Sequence, residues 1–352
     1  MIADLVLIGF GNVARRFVRL IDERRRALER DFNLSFRIIG IATRRHGAAA
    51  DASGIDGCAA ARLVDHGGSL ASLPGRIDDT ALPGADQCIA VLAQSRADIR
   101  VVVETTTLDI VSGQPAIDHV RLGLAHGCHV VTANKGPAAF AYRELSDMAA
   151  ARTLSFLFEG AVMDGIPVFN LVRETMPSVE ILGFRGVVNS TTNHILTALE
   201  GGQDFADALS EMQMAGIAEA DASLDLEGWD AAAKAAVLAN VFMDAGITPR
   251  DVARSGVSPE CADRARNARA HGRRLRLVAS GARGSLPAVE LVELAQDDLL
   301  AGLRGTANAL VLDTDTLGKV AITQLDGGLL HTAYALLSDL LTIARSAAAA
   351  RK

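Results

Sequence analysis

The sequence predicts an α/β protein with two domains, the first on a parallel sheet and the second an α+β domain with a mixed sheet. Up to about residue 150, short apolar runs alternate with helical patterns, which is typical of a parallel sheet covered on both faces. From about residue 155, strands and helices follow one another without that alternation. The chain has 352 residues, enough for two hydrophobic cores.

The first domain is predicted to comprise residues 1–150. An apolar run at 2–8 leads into a glycine turn, and a helical pattern with one apolar face continues through about Arg30. The segment 47–84 is poor in pattern and predicts a loose crossover with short helices. The other predicted elements are strands at 36–42, 100–104 and 128–133 and a helix at 116–125.

The second domain is predicted to comprise residues 151–328. Its predicted strands are 156–158, 181–188, 275–279, 289–294, 309–312 and 320–323, and its predicted helices are 166–176, 191–200, 204–215 and 228–243. A final Ala/Leu-rich helix, about 329–349, is predicted to pack back on the first domain, so that residues 329–352 belong with it.

Charge and composition argue against several functional classes. The net charge of −7 disfavours nonspecific nucleic-acid binding, which needs clustered cations. The four cysteines form neither a CxxC nor a Cys/His pattern, so we expect neither disulfides nor zinc. No signal peptide is recognisable, and no apolar run reaches the roughly 20 residues of a membrane span. We therefore expect a cytoplasmic protein with no membrane or nucleic-acid partner.

The turn after the first strand carries a dinucleotide-binding pattern. The residues read GxGxxA: Gly9, Phe10, Gly11, Asn12, Val13 and Ala14. Gly9 permits a tight turn, Gly11 lets the backbone approach a pyrophosphate, and Ala14 is small enough for close helix–strand packing. The phosphates would lie at the helix N-terminus. A plain strand–helix turn is the alternative, but the context favours a Rossmann-like domain that binds through residues 9–13.

Polar residues follow three strands of the predicted parallel sheet. Arg44 and Arg45 follow the second strand, where an NAD-binding sheet would have an acidic residue, so NADP(H) is favoured over NAD(H). Two exposed loop arginines are the alternative. Thr105 and Thr106 follow another strand and Lys135 a further one, at the edge where ligands bind. Lys135 could equally be a lysine at a strand end.

An acidic segment in the second half ends in a lysine. Its charged residues include Glu219, Asp225, Asp230 and Lys234. Three carboxylates could hold the ammonium group of an amino acid, and Lys234 lies one helical turn beyond Asp230. Binding an amino acid and protonating an oxygen requires this mix. A solvated acidic loop with an Asp–Lys surface pair is the alternative.

These motifs occur with two others, at 159–167 and 189–196, and in this order they resemble homoserine dehydrogenase. The family pattern is GxGxVG, a TANK strand end, E-x-x-V-x-x-G-x-P, N-x-T-x-N-x-I-L and A-E-x-D-x-x-x-D-x-x-G-x-D-x-x-x-K, and nearly all of it is present over about residues 5–345. The resemblance is to the short form, with neither an ACT nor an aspartokinase domain. It implies NADP-dependent reduction of L-aspartate 4-semialdehyde to L-homoserine in threonine and methionine biosynthesis.

The resemblance also implies residue roles. Lys234 would donate a proton to the substrate oxygen, and Lys135 would lie near nicotinamide and substrate. The implied substrate residues are Glu219, Asp225, Asp230 and Thr191. Gly328 would contact the cofactor, although residues 325–329 depart from the GPGAG-like loop of the family.

A monovalent cation and a homodimer are further implications of the resemblance. Na⁺ or K⁺ would be bound by Glu159 and the backbone oxygens of Val162, Asp164 and Ile166, although Asp164 stands where a small residue is usual. The homodimer would form through the second domain. Two other functions stay open: a related NAD(P)-dependent amino-acid or aldehyde dehydrogenase, and a catalytically inactive nucleotide-sensing protein.

Overall fold

The computed structural model describes residues 1–73, 84–215, 217–218 and 221–351. The chain divides into two compact units. Unit 1 comprises Met1–Pro137, Arg143–Pro167 and Leu329–Lys352, and unit 2 comprises Ala138–Tyr142 and Val168–Gly328. Unit 1 extends beyond residue 150 because another strand of its sheet follows there.

Strands and helices alternate through most of unit 1 and are less regular in unit 2. The strands are β1 Ile2–Ile8, β2 Ser35–Thr43, β3 Gly47–Ala50, β4 Ile99–Glu104, β5 His129–Thr132, β6 Phe156–Leu157, β7 Ile181–Val187, β8 Ala253–Arg254, β9 Arg273–Ala282, β10 Ala288–Ala295, β11 Asn308–Thr314 and β12 Gly318–Gln324. The helices are α1 Asn12–Phe32, α2 Gly57–Asp65, α3 Gly84–Ala93, α4 Ala116–Ala125, α5 Gly136–Phe140, α6 Tyr142–Ala150, α7 Phe169–Thr175, α8 Ser190–Glu200, α9 Phe205–Met214, α10 Ser223–Leu226, α11 Trp229–Met243, α12 Cys261–Ala270 and α13 Leu329–Ala349. Over the residues that the structure describes, no helix is long and apolar enough to cross a membrane.

Unit 1 is built on a six-stranded sheet in the order β3-β2-β1-β4-β5-β6. β1 runs parallel to β2 and β4, and β5 runs parallel to β4 and β6. β1 is buried from Ala3 to Ile8, as expected for a central strand with both faces covered. The carboxyl ends of β1, β4 and β5 therefore meet at one edge, where ligands bind in such sheets.

Two features of this sheet correct the sequence-based prediction. The sequence predicts a loose crossover from residue 47, but Gly47–Ala50 forms β3, antiparallel to β2. Glycine and alanine have little strand propensity, so pairing with β2 decides this conformation. Phe156–Leu157 is predicted in the second sheet but pairs with β5 in the first. The crossover also includes residues 74–83, which lie outside the described residues.

The last helix completes the core of unit 1. Phe17 and Leu20 on the apolar face of α1 share one buried cluster with Leu336 and Leu340 of α13. Burying each such side chain stabilises the fold by about 1.5–3 kcal/mol. α1 is capped by Asn33, which has the left-handed conformation and whose N–H donates back to carbonyl groups in the last turn of the helix.

Unit 2 is built on a six-stranded sheet in the order β12-β11-β7-β9-β10-β8. Neighbouring strands are antiparallel except β8 and β10, which are parallel, so this sheet is mixed as predicted. The short β8 and helices α10 and α12 are additions to the predicted elements. α11 begins after Gly228, which has φ +80° and where a Cβ would lie 2.4 Å from the Ser255 carbonyl oxygen. Glycine at this position sets the start of the helix that carries Asp230 and Lys234.

Candidate active site

A tight glycine turn joins β1 to α1 in unit 1. Gly9 has φ +84°, and a Cβ there would lie 2.6 Å from the carbonyl carbon of Thr105. The Gly9 N–H donates to the Ala42 carbonyl at 2.9 Å, and the Gly9 carbonyl accepts from the Thr105 hydroxyl at 2.9 Å. Backbone from two neighbouring strands closes around this residue, so only glycine fits.

Gly11 lies on the open side of the same turn. A Cβ on Gly11 would meet no atom within 4 Å. No side chain caps the start of α1, and its first turn contains no acidic residue. Asn12 is exposed, whereas Phe10 is buried in the core and Val13 packs against that core. The start of α1 therefore presents backbone N–H groups and the positive end of its dipole to an approaching phosphate.

Arg44 and Arg45 lie in the turn between β2 and β3, with both side chains exposed. Thr43 holds this turn, because its hydroxyl accepts from the His46 N–H at 2.7 Å and donates to the Gly47 carbonyl at 3.2 Å. Residues 42–47 include no carboxylate. The acidic group that would bind a ribose 2′-hydroxyl is therefore missing from this end of β2.

A buried carboxylate links the ends of β4 and β5. Glu104 is fully buried. Its Oε1 accepts from the Thr106 N–H at 3.0 Å and from the Thr106 hydroxyl, and its Oε2 accepts from the Thr132 hydroxyl at 2.9 Å. Asn134 Nδ2 donates to the Thr106 carbonyl at 3.0 Å. This network fixes the two turns that carry Thr105, Thr106 and the lysine after β5.

Lys135 lies in the turn after β5 and is partly exposed. Asn134 Oδ1 accepts from the Gly136 N–H at 2.8 Å, so the turn closes around Lys135. A Cβ on Gly136 would lie 3.0 Å from the Cα of Gly113, which keeps this segment close to its neighbour. The backbone of Lys135 therefore lies at the carboxyl edge of the first sheet, as the topology predicts.

Unit 2 brings Asp225, Asp230 and Lys234 together. Lys234 Nζ lies 2.9 Å from Asp230 Oδ2 and donates to the Val188 carbonyl at 2.5 Å. Asn189 Nδ2 donates to Asp225 Oδ1 at 2.7 Å and to Asp230 Oδ2 at 2.9 Å. The side chains of Asp230 and Lys234 are only 16% and 13% exposed. They form a partly desolvated cluster, which differs from a solvated surface pair.

The pKa of Asp225 is raised, first by burial and then by the charge of Asp230. Hydrogen bonds from Asn189 and Thr191 and the charge of Lys234 oppose this rise. Ionisation of the Asp225 carboxyl is therefore less favourable than in water, and an additional cation such as a substrate ammonium group would make it more favourable. Perturbed carboxyl groups of this kind are typical of functional sites.

The other predicted substrate and cofactor residues have different surroundings. Thr191 is buried in the first turn of α8, two residues after Asn189. Gly328 has φ +156° and is the last residue of unit 2, directly before α13. Glu219 lies outside the described residues.

Residues 159–167 form a compact turn in unit 1. Glu159 is buried, and its N–H donates to Asp339 Oδ2 at 2.9 Å. Asp164 has φ +49°, in the left-handed region that glycine adopts most readily and aspartate more often than most other residues. One carboxylate and the carbonyl oxygens of Val162, Asp164 and Ile166 would give an oxygen-only donor set, and hard cations prefer oxygen ligands. The residues present thus fit a Na⁺ or K⁺ ion by their chemistry.

Comparison with known proteins decides the family. Two family models match the chain: the NAD binding domain of homoserine dehydrogenase over residues 9–159, and homoserine dehydrogenase over residues 167–341. The NAD(+)-dependent homoserine dehydrogenase of Pseudomonas canavaninivorans is 37% identical over 347 residues, which cover 97% of this chain and 96% of that protein. The chain belongs to the homoserine dehydrogenase family. It is therefore an NAD(P)-dependent oxidoreductase, and the resemblance inferred from its motifs is confirmed.

Solved homoserine dehydrogenases share this fold. The Thermoplasma acidophilum enzyme has a TM-score of 0.80 at 25% identity and covers 98% of this chain and 100% of its own. A hyperthermophilic archaeal homoserine dehydrogenase in complex with NADPH has a TM-score of 0.78 at 27% identity, with 97% of both chains covered. The predicted α/β class with a dinucleotide-binding domain is confirmed. One relative is named NAD(+)-dependent, and one solved homoserine dehydrogenase is in complex with NADPH.

Two polar residues, Glu104 and the motif residue Asn189, have structural roles that the sequence does not reveal. Glu104 ends β4 and is the centre of the buried network described above. Asn189 precedes a predicted helix, and an asparagine there is a sequence signal for a helix cap. Its contacts with Asp225 and Asp230 span 36 and 41 residues of sequence. No local pattern could have indicated them.

Proposed function

We propose that the chain catalyses the reversible, NADP-dependent reduction of L-aspartate 4-semialdehyde to L-homoserine. The observation that carries the proposal is the cluster of Asp225, Asp230 and Lys234 in unit 2. Paired carboxylates suit the ammonium group of an amino acid, and an adjacent ammonium suits its reacting oxygen. Thr191 and Glu219 are proposed as further substrate residues, the latter on the resemblance alone.

In this proposal Lys234 exchanges a proton with the substrate oxygen. The dinucleotide, when bound, supplies the hydride for the aldehyde carbon. As negative charge develops on the oxygen, Lys234 Nζ donates a proton to it, and in the reverse direction Nζ accepts the hydroxyl proton. Asp230 and the Val188 carbonyl hold Nζ in one position. A positioned donor of this kind typically lowers the barrier by about 3–4 kcal/mol. Lys135 is proposed as a second cation on the cofactor side.

We propose NADP(H) as the preferred cofactor. Arg44 and Arg45 are exposed at the end of β2, and a guanidinium can pair with a 2′-phosphate through two hydrogen bonds. The absence of a carboxylate at residues 42–47 removes the group that would repel that phosphate. Further proposed contacts are the backbone of residues 9–13, Thr105, Thr106 and Gly328.

Initial rates of L-homoserine oxidation, measured separately with NADP and NAD, test the proposal. Activity with a strong NADP preference supports both the reaction and the arginine argument. A preference for NAD keeps the reaction and refutes the arginine argument. No activity with either, in a protein that still binds dinucleotide, favours a related amino-acid or aldehyde dehydrogenase, or a nucleotide-sensing protein.

The proposal extends to a cytoplasmic homodimer that serves threonine and methionine biosynthesis, on the strength of the motif resemblance. It also assigns Na⁺ or K⁺ to Glu159, Val162, Asp164 and Ile166, on the oxygen donor set. Light scattering after size-exclusion chromatography measures the oligomeric state. Rates in KCl, NaCl and tetramethylammonium chloride at constant ionic strength test the cation, and equal rates in all three would count against it.

A further inference from the structure

We infer that Asn189 is a positioning residue, whose side-chain amide holds Asp225 and Asp230 in a shared orientation for a substrate ammonium group. The inference rests on the proposed function, because it concerns the same substrate site. It gives a role to Asn189, which lies outside the acidic segment and has no role in the proposed reaction.

The orientation of the Asn189 amide is fixed by α8. Its Oδ1 accepts from the Thr192 N–H at 2.9 Å and from the Thr192 hydroxyl at 3.0 Å, which makes Asn189 the N-cap of the helix. With the oxygen used in this way, the NH₂ group points to the two carboxylates. A reversed amide would place its oxygen against both carboxylates and its NH₂ group against the Thr192 N–H, so the hydrogen bonds with Asp225, Asp230 and the Thr192 N–H would be lost.

The NH₂ group has two hydrogens, and each carboxylate receives one. Asn189 donates to Oδ1 of Asp225 at 2.7 Å and to Oδ2 of Asp230 at 2.9 Å. Lys234 Nζ contacts the same oxygen of Asp230 and is also bonded to the carbonyl of Val188. Two consecutive residues at the junction of β7 and α8 thus orient all three charged groups.

The groups that face Asp225 come from the two helices packed against α10. Among the described residues, α11 contributes the charges of Asp230 and Lys234, and the start of α8 contributes the neutral side chains of Thr191 and of its N-cap residue Asn189. The hydrogen bond from Asn189 lowers the pKa of Asp225 against the effects of burial and Asp230. Its removal should raise that pKa, so that both carboxylates are ionised together only at higher pH.

Asn189→Ser tests the inference, because serine still caps the helix but has no NH₂ group. The measurement is kcat/KM for L-homoserine as a function of pH, whose acid limb reports groups of the free enzyme. The acid limb should move to higher pH by about one unit, so that kcat/KM at a fixed pH on this limb falls about tenfold. Dinucleotide affinity should stay unchanged.

Asn193→Ser is the matched control. Asn193 is buried in the same helix, and its NH₂ group donates to the carbonyls of Gly305 and Ala307, both at 3.0 Å. This variant should lower Tm without moving the acid limb. If Asn189→Ser also leaves the limb in place and changes only Tm, Asn189 has a purely structural role and the inference is overturned.

A carbon-13 NMR titration of aspartate carboxyl groups without substrate separates the two possible failures. The Asp225 signal is assigned by its loss in Asp225→Asn. Asn189→Ser should raise the pKa of Asp225 by about one unit, and an unchanged pKa overturns the inference even if the enzyme oxidises homoserine. A raised pKa in an enzyme inactive on homoserine supports the effect of Asn189 on the acidic pair and overturns the proposed function.

Discussion

Replacing Lys234 by alanine tests the proposed proton donor directly. The side chain is 13% exposed, and its Nζ is held 2.9 Å from Asp230 Oδ2 and 2.5 Å from the Val188 carbonyl oxygen. The variant therefore loses a fixed ammonium group. Removing a general acid typically costs about 10²–10⁴-fold in rate, and removing a positioned oxyanion donor about 10²–10³-fold. We expect kcat to fall about 10³-fold.

The assay compares two quantities in the same preparation. Initial rates of L-homoserine oxidation at saturating NADP give kcat, and NADPH fluorescence gives the dinucleotide Kd. We expect Kd to change less than about twofold, because mutations at independent sites usually have independent effects. Lys234 belongs to unit 2, whereas the glycine turn at residues 9–11 and the turn with Arg44 and Arg45 belong to unit 1. Lys234→Met, which keeps the apolar stem, should lose activity to the same extent while its Tm shows that the fold is intact.

Lys319→Ala is the matched control. Lys319 lies 3.5 Å from Asp313 and is 69% exposed, so this surface pair contributes little. Its removal should leave both kcat and Kd unchanged. A kcat within about tenfold of wild type for Lys234→Ala, or a loss of NADPH affinity as large as the loss of kcat, would refute the assigned role.

Four further predictions concern the cofactor turns and the acidic cluster. Arg45→Ala should raise KM for NADP about tenfold and KM for NAD much less, because a charge-assisted contact with the 2′-phosphate is lost. Arg62→Ala, which removes an exposed arginine on α2, is the control. An equal rise in KM for both cofactors in Arg45→Ala would contradict the argument. Gly11→Ala should leave Tm nearly unchanged, because a Cβ there meets no atom within 4 Å, yet raise the dinucleotide Kd about tenfold by obstructing the pyrophosphate. Gly9→Ala should instead lower stability by about 1–3 kcal/mol from backbone strain alone, and measured Tm and Kd separate the two glycines. Asp225→Asn should raise Tm at pH 8: the folded pKa of Asp225 is raised, so wild-type stability falls as pH rises from the ordinary carboxyl pKa through the folded one. The gain should vanish below the ordinary carboxyl pKa, and a lower Tm at pH 8 would show that Asp225 stabilises the fold as an anion.

The sequence by itself determined the parts of the fold that have a local cause. Periodicity placed α1, because one apolar face must pack on a core, and an Ala/Leu-rich composition indicated α13. The glycine pattern after β1 predicted the turn at Gly9, whose positive φ and crowding require that residue. The spacing of Asp230 and Lys234 predicted their contact, because residues four apart on a helix are neighbours.

Only the tertiary structure decided the features that depend on distant parts of the chain. Gly47–Ala50 becomes a strand because β2 offers it backbone partners, and Phe156–Leu157 joins the first sheet because β5 has a free edge there. Glu104 and Asn189 become centres of polar networks because folding brings to them groups far away in sequence. Side-chain periodicity reports which face of an element is buried, and it contains no information about which distant polar group will lie opposite.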